Sequence, residues 1–335
     1  VKDNLRDHPV FICGHPKSGT SLVRSLLDSH PELVVYPEET MFFRRYLPKA
    51  QGLSLEQKLD LADKFLIHMF EWNQIDPPVH QAGFLDRDYL DISFEAISLA
   101  MRQIVAEEYR QDGDILSAAV LAFGKVSGQI GEHAVRWVEK TPFNEYYVKQ
   151  ILGWWPDALL LHVVRDPRDN FVSYKRKHPE WSARTFAESW SRSTQSGLAW
   201  QAKLGPDRYR VLHYEQLIES PEGVLREICE FLGINDHPTL KMPTRNGKDW
   251  GGNSMFAEQF KHISASPVGR WKKTLGADDL VLLEGLARAP IRQMGYELSG
   301  TKLTDARPGV LWQLAKASLS HLIRGQRRRP VEGYR

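Results

Sequence analysis

Residues 10–21 read VFICGHPKSGTS, a short apolar run, a loop bounded by Gly14 and Gly19, and Thr20-Ser21 opening a helix. Few stretches restrict a chain more. A strand that turns through spaced glycines into a helix start makes backbone N–H groups converge on one point, which is an anion cradle. In nucleoside-triphosphate loops the pattern is G-x4-G-K-[ST]. Here the glycine spacing matches, but Thr20 stands where the lysine belongs and Lys17 lies two residues before Gly19. Lys17 then supplies a point charge from another direction, and Thr20 and Ser21 supply hydroxyls. The plain alternative is a Gly-Ser turn that merely ends a strand.

The magnesium-holding strand of a P-loop kinase has no good counterpart. The nearest candidate, LLLHVVRD, puts Arg165 before Asp166, so ATP chemistry of the usual kind is poorly supported. The same stretch is informative in another way. LLLHVVRDPRDNFVSYKRK places Arg165 directly after a continuous apolar run of the buried parallel-strand type, with Ser173 eight residues later on a helix. The carboxyl end of a strand is where open α/β sheets bind ligands. Arg165 can fork onto a phosphate and Ser173 can add a hydroxyl. Arg168, Lys175, Arg176 and Lys177 read mostly as a solvated face, and Asp169 as a helix-start acid.

Around these motifs, strands alternate with helices. Val10–Gly14, Leu33–Tyr36, Val135–Val138, Leu159–Val164 and Tyr209–Tyr214 read as strands. Helical spacing appears over 54–72 and 93–110, with further helices at about 144–153, 168–177, 184–203 and 221–232. PEETMFFRRYL is expected to start a helix, with Pro37 near its first position and Glu38 and Glu39 in the first turn. These elements predict an α/β fold, a P-loop-type central parallel sheet flanked by helices, as a single domain over 1–335. It carries a helical insertion at about 54–132, a polar, flexible substrate or cofactor loop at about 243–268, and a basic tail at about 324–335. The last helix, about 310–323, has apolar residues at Leu311, Leu314, Ala315, Leu319 and Leu322 to dock on the core.

Bulk properties remove several classes. The net charge is +2 with 26% charged residues, too mild for general nucleic-acid binding. No run approaches the ~18 apolar residues of a membrane span. The opening VKDNLRDHPVF has no signal-peptide core, though the chain lacks an initiator Met. Two cysteines, Cys13 and Cys229, and no Asn-x-Ser/Thr sequon point to a reducing cytoplasm; the alternative is a Golgi lumen with an anchor removed. Twelve histidines show no metal-ligand spacing, so no metal is expected. His162, inside an apolar strand, reads as a core residue, and His15 as a loop residue within reach of the bound anion. The tail RGQRRRP reads as solvated, with attraction to an acidic membrane surface or to nucleic acid as its other use.

PKSGTSL together with VVRDPRDNFVSYKR resembles the two cofactor-binding motifs of the sulfotransferase family, whose donor is 3′-phosphoadenosine 5′-phosphosulfate (PAPS), leaving PAP as product. The resemblance spans about residues 10–300 if RWKKTL is counted as the late cofactor segment. It implies that Lys17, Ser18, Gly19, Thr20 and Ser21 bind the 5′-phosphosulfate, and Arg165 and Ser173 the 3′-phosphate. HPELVVYPEET and EKTPF further resemble the protein-tyrosine sulfotransferase branch and its bacterial relatives. By that likeness Glu39 is the general base, with Glu38 as its rival, and Lys140 stabilises the transition state. Tyr214 in HYEQL, Ser254 in GGNSMF and Arg270 in GRWKK match weaker cofactor positions.

Sulfuryl transfer needs a seated donor, a deprotonated acceptor hydroxyl, charge compensation on the leaving oxygen and in-line geometry, so positioning and electrostatics carry most of it. A Glu39 tuned upward by burial would serve as base near neutral pH; its bland reading is a dipole-complementing acid. Lys140 and Lys17 together would offset charge on the leaving oxygen; the bland reading of Lys140 is a surface pair with Glu139. Trp72, Phe84 and Tyr89 could floor an acceptor pocket or simply pack, and Trp154 and Trp155 could cap a helix beneath the sheet. The acceptor is expected to be a small molecule or carbohydrate hydroxyl. Against the transferase stand a P-loop kinase and a noncatalytic nucleotide-binding module; oligomeric state is not legible.

Overall fold

The computed structural model describes residues 5–68, 89, 91–252 and 263–325, the last nine of these by backbone alone. Five parallel strands make the central sheet: β1 (Pro9–Cys13), β2 (Leu33–Val35), β3 (Arg136–Lys140), β4 (Leu159–Val164) and β5 (Tyr209–His213). Their order is β2-β3-β1-β4-β5. Every residue of β1 and of β4 is buried, as expected of parallel strands covered on both faces. β1 lies between β3 and β4, so the chain leaves its carboxyl end where the connections diverge to either side. A crevice opens at such a switch point, and the Gly14–Gly19 loop sits there.

The pleat sorts side chains to two cores. Phe11, Cys13, Trp137, Leu160 and Tyr209 face one side, against the Phe94–Glu107 and Gly113–Val126 helices. Val10, Ile12, Val138, Leu161 and Val163 face the other, against Thr20–Leu27 and Pro221–Leu232. Trp155 is fully buried in the first core, with its ring 5.5 Å from Phe11 and 5.6 Å from Trp137. It fills the layer rather than capping a helix. Among the described residues no helix is long and apolar enough to cross a membrane.

Three elements depart from the sequence expectation. The Gly113–Val126 helix lies inside the expected helical insertion but shows no helical spacing of its own, because twelve of its residues are buried, leaving no polar stripe to reveal a 3.6-residue period. The segment after β2 does not begin a helix at Pro37. Helical turns start only at Phe42, first π-type to Tyr46 and then α-helical over Leu47–Ala50. Backbone groups that a helix would pair are satisfied instead by other elements: Thr40 N–H donates to Glu139 of β3, Met41 N–H to Oγ1 of Thr141 just after it, and Arg24 of the Thr20–Leu27 helix donates to the Pro37 carbonyl. Glu38 and Glu39 therefore lie in an irregular loop, and the dipole reading of the two acids falls. The last helix, Pro308–Gly325, docks through Val310 and Leu314, which packs on Gly285, while Leu311 and Ala315 face solvent. Within the polar stretch after 243, Thr244–Arg245 pairs antiparallel with Lys248–Asp249.

Candidate active site

The glycine loop is held in a form that only its own residues tolerate. Gly14 and Gly19 have φ +126° and +104°, in the region that disfavours side chains. A Cβ on Gly14 would lie 2.3 Å from the Val163 carbonyl oxygen, and one on Gly19 would lie 2.3 Å from the Tyr214 ring. Lys17 also takes positive φ, 66°. Gly19 caps the Thr20–Leu27 helix without a side-chain cap, so the first N–H groups of that helix are available to an anion. Ser18 and Thr20 are buried, and Ser21 is half-buried.

The second motif meets this loop in space. Arg165, 5% exposed, donates from Nη1 to the Lys17 carbonyl (3.3 Å) and to Ser173 Oγ (3.4 Å), and from Nη2 to the Pro267 carbonyl (2.7 Å). Its guanidinium lies 4.7 Å from the centre of the Tyr214 ring, so Tyr214 is wedged between Arg165 and Gly19. Arg165 Nε and Ser18 Oγ are buried without hydrogen-bond partners. Buried polar atoms are rarely left so, and the chemistry of both suits an anionic oxygen.

Asp169 does more than start a helix. Its carboxylate accepts from the Gly269 and Trp271 N–H groups at 2.6 and 2.9 Å, which anchors Arg270 between them; Arg270 is among the charges acting on Tyr214. Arg168 is not part of a solvated face. It is buried, paired with Asp166 (2.6 Å) and Glu284 (2.9 Å), and lies 4.1 Å from the Trp271 ring. Arg176 and Lys177 are exposed, as read.

On the other side of the loop, Lys140 ends β3 in register with Ile12 of β1. It is buried, and its Nζ lies 2.5 Å from Glu39 Oε1. Glu139, its partner on the bland reading, points to the opposite face, because adjacent strand residues alternate. Burial pushes the Glu39 carboxyl up, but Lys140, then Lys177 and Lys17, outweigh it and hold it below the usual range. The expectation of an upward-tuned Glu39 is corrected: in this arrangement it is a ready carboxylate. Burial lowers the Lys140 ammonium, with Glu39 opposing. Burial and then Lys177 bring Lys17 down to about 7.

Glu38 is engaged elsewhere. Its carboxylate is buried, accepts from the Tyr89 hydroxyl (2.7 Å) and lies 3.9 Å from Arg245 Nη1. Tyr89 is thus a partner of Glu38 rather than a pocket floor. Trp72, Phe84 and Ser254 lie outside the described residues. His15 is packed between Phe143 and Phe186 with Nδ1 3.0 Å from Asn170 Oδ1 and Nε2 3.2 Å from Ser189 Oγ, so both ring nitrogens are engaged by the protein. Burial lowers it to about 4. His162 is a core residue as read, with Nδ1 2.7 Å from the Tyr209 hydroxyl.

Sequence reasoning passed over two acids. Glu139 and Glu145 are fully buried beneath the site. Cys13, Glu145 and His162 bring ligand-type atoms within 4.8 Å of one another; Cys13 Sγ and His162 Nδ1 already bond to Tyr209, and the Glu145 carboxylate to the Gly14 N–H and Ser193, while His162 Nε2 is buried without a partner. One signal for Glu139 was available: strand parity puts it on the same face as buried Trp137.

The model of the sulfotransferase family matches residues 9–238. Protein-tyrosine sulfotransferase A of Caenorhabditis elegans is 26% identical over 315 residues, covering 90% of this chain and 70% of that protein. The omega-hydroxy-beta-dihydromenaquinone-9 sulfotransferase of Mycobacterium tuberculosis is 25% identical over 279 residues, covering 75% of this chain and 70% of its own. The sulfotransferase domain of the Synechococcus PCC 7002 olefin synthase shares the fold at a TM-score of 0.57 and 21% identity, over 89% of this chain and 98% of that domain.

Proposed function

This chain belongs to the sulfotransferase family, the PAPS-dependent enzymes, and from that premise we propose how its residues divide the work. Lys17 to Ser21 hold the 5′-phosphosulfate end of PAPS, and Arg165 with Ser173 hold the 3′-phosphate end. Tyr214 and Arg270 border the donor between them, and the GGNSMF motif assigns Ser254 to the cofactor by resemblance alone. The observation that carries this reading is the contact of Arg165 with the donor loop itself. It joins two anion grips far apart in sequence into one site, with a buried Nε and a buried hydroxyl still to be satisfied.

Glu39 takes the proton of the acceptor hydroxyl as that oxygen bonds to sulfur. The bond between sulfur and the 5′-phosphate oxygen breaks, and its electron pair stays on that oxygen, giving PAP and a sulfate ester. Lys140 and Lys17 meet the negative charge left there. The Lys140–Glu39 pair supports both assignments, since it holds an ionised base beside a cation at the carboxyl end of the sheet. Glu38, closed in by Tyr89 and Arg245, has no comparable access. The whole chain acts as one catalytic domain, and two buried cysteines without a disulfide suit a reducing compartment.

The acceptor is a carbohydrate or another alcohol. A second reading, a phenolic hydroxyl, is favoured by the match to a tyrosine-directed relative. Purified protein should bind PAP far more tightly than ATP and without magnesium. Equal affinity, or an absolute magnesium requirement, overturns the donor assignment. Glu39→Gln should lose ~10²–10⁴ in transfer rate while still binding PAP. Retained activity in that variant removes Glu39 as the base. Labelled PAPS offered with carbohydrates, aliphatic alcohols and tyrosine peptides then separates the acceptor classes.

A further inference from the structure

Two buried carboxylates stand behind the reacting groups and take no part in the transfer just described. Glu139 Oε1 accepts from Thr40 N–H (3.4 Å), from Thr40 Oγ1 (2.8 Å) and from the Thr141 hydroxyl, and Oε2 accepts from Asn144 Nδ2 (2.8 Å). Thr40 follows Glu39 directly, so Glu139 grips the loop of the base. Glu145, six residues on, reaches the other loop. Its Oε2 accepts from Gly14 N–H (3.1 Å), the first residue of the donor loop, and its Oε1 from the Ser193 hydroxyl. The Gly14 carbonyl in turn accepts from Phe143 N–H (3.1 Å).

A carboxylate is costly to bury, and an apolar residue of similar size would be cheaper if packing were all that was needed. Both acids occupy fully buried positions, and each spends part of its lone pairs on one of the two loops that must face each other, Glu139 on Thr40 and Glu145 on Gly14; the rest go to Thr141, Asn144 and Ser193. Burial, opposed by those hydrogen bonds, raises Glu139 to about 6 and Glu145 to about 7. Neither is a surface ion pair, and neither reaches Glu39 or Lys17 by a hydrogen bond of its own.

We infer that the turn from Glu139 to Glu145 is a two-armed brace: Glu139 sets the base loop, Glu145 sets the donor loop, and the short rigid segment between them fixes one against the other. Both are positioning residues, and the inference rests on the assignment of Glu39 as base and Lys17 to Ser21 as donor loop. The two arms should separate kinetically. Weakening the Glu145 arm disturbs where the donor is held; weakening the Glu139 arm disturbs how the base is aimed once the donor is bound.

The test uses PAP binding by calorimetry and the acceptor-free hydrolysis of saturating PAPS, in which water takes the acceptor's place. Glu145→Ala should raise the PAP Kd by ~10-fold or more, the scale of one lost charge-assisted hydrogen bond, and Glu145→Gln should recover most of it, since the amide still accepts from Gly14. Glu139→Gln should slow hydrolysis by ~10-fold or more at saturation with PAP affinity nearly unchanged. Thr40→Val and Ser193→Ala each remove a single hydroxyl contact to the same carboxylates, keep the buried charge, and should show the same split at smaller size if the Glu variants unfold. If wild type fails to bind PAP, the functional reading itself is wrong. If wild type binds PAP and the variants change affinity and rate together, or change neither, the brace is wrong and the two acids are ordinary core groups.

Discussion

Replacing Lys140 with methionine removes the cation beside Glu39 while keeping most of the side-chain volume. Two unit charges about 4 Å apart interact by about 4 kcal/mol at an effective dielectric near 20. Glu39 is a third exposed, with 35% of its side chain accessible, and solvent screening reduces that figure to about 1–2 kcal/mol. One pKa unit corresponds to about 1.4 kcal/mol, so the acid limb of activity should move by about one unit. The direction follows from the balance at Glu39. Burial raises its carboxyl, and Lys140 is the largest influence pulling it down. Without Lys140 burial gains, the carboxyl titrates at higher pH, and the acid limb of kcat/KM shifts upward. At the pH optimum kcat should also fall by ~10²–10³, as for loss of one charge-stabilising group. The assay is a pH profile of kcat/KM for PAPS in both proteins, with PAP affinity measured alongside. A fall in kcat with the acid limb unmoved would refute the coupling of Lys140 to Glu39, and unchanged kcat would refute its catalytic role altogether.

Arg165→Lys should weaken PAP binding by ~10–100-fold, because a point charge cannot reproduce a two-pronged guanidinium contact; calorimetry reads this, and Ser173→Ala should cost less. Gly19→Ala should lose donor binding and lower Tm, since its Cβ would enter the Tyr214 ring and the backbone would be held at positive φ, a strain of ~1–3 kcal/mol; an unchanged PAP Kd would mean the loop relaxes. The buried acids predict a pH dependence of stability. Glu139 and Glu145 have raised folded values of about 6 and about 7, so the stability they support is complete at low pH and is lost as pH rises through those values. The Tm difference between wild type and Glu145→Gln should therefore shift in favour of the variant as pH rises from about 5 to 8; an identical pH slope in the two proteins contradicts the assignment. On the acid side, His15 and His162 have lowered folded values of about 4 and about 3, and their contribution, complete above ~6.5, is lost as pH falls.

The local features of the site were legible because they are short-range. The spaced glycines of 14–19, Lys17, and Arg165 after an apolar run each announce their chemistry within a dozen residues, and the structure brings Arg165, Ser173 and Tyr214 to that loop. The same locality explains the misses. PEETMFFRRYL has the signals of a helix start, yet Glu139 and Thr141, about a hundred residues away in the chain, and Arg24 of the preceding helix supply partners to its backbone and keep Glu39 in a loop. Arg168 looked solvated because its neighbours are lysines and arginines, while its true partners Glu284 and Trp271 come from more than a hundred residues later.

What the sequence determined alone was the kind of ligand: a strand, two glycines and a displaced lysine define an anion cradle from backbone geometry that needs no distant contact. What only the tertiary structure decided was the charge state and aim of the reacting groups. Glu38 or Glu39 as base, and Glu139 or Glu39 as the partner of Lys140, could not be chosen from their order in the chain. The choice depends on which face of β3 each residue occupies and which charges burial brings within a few ångströms.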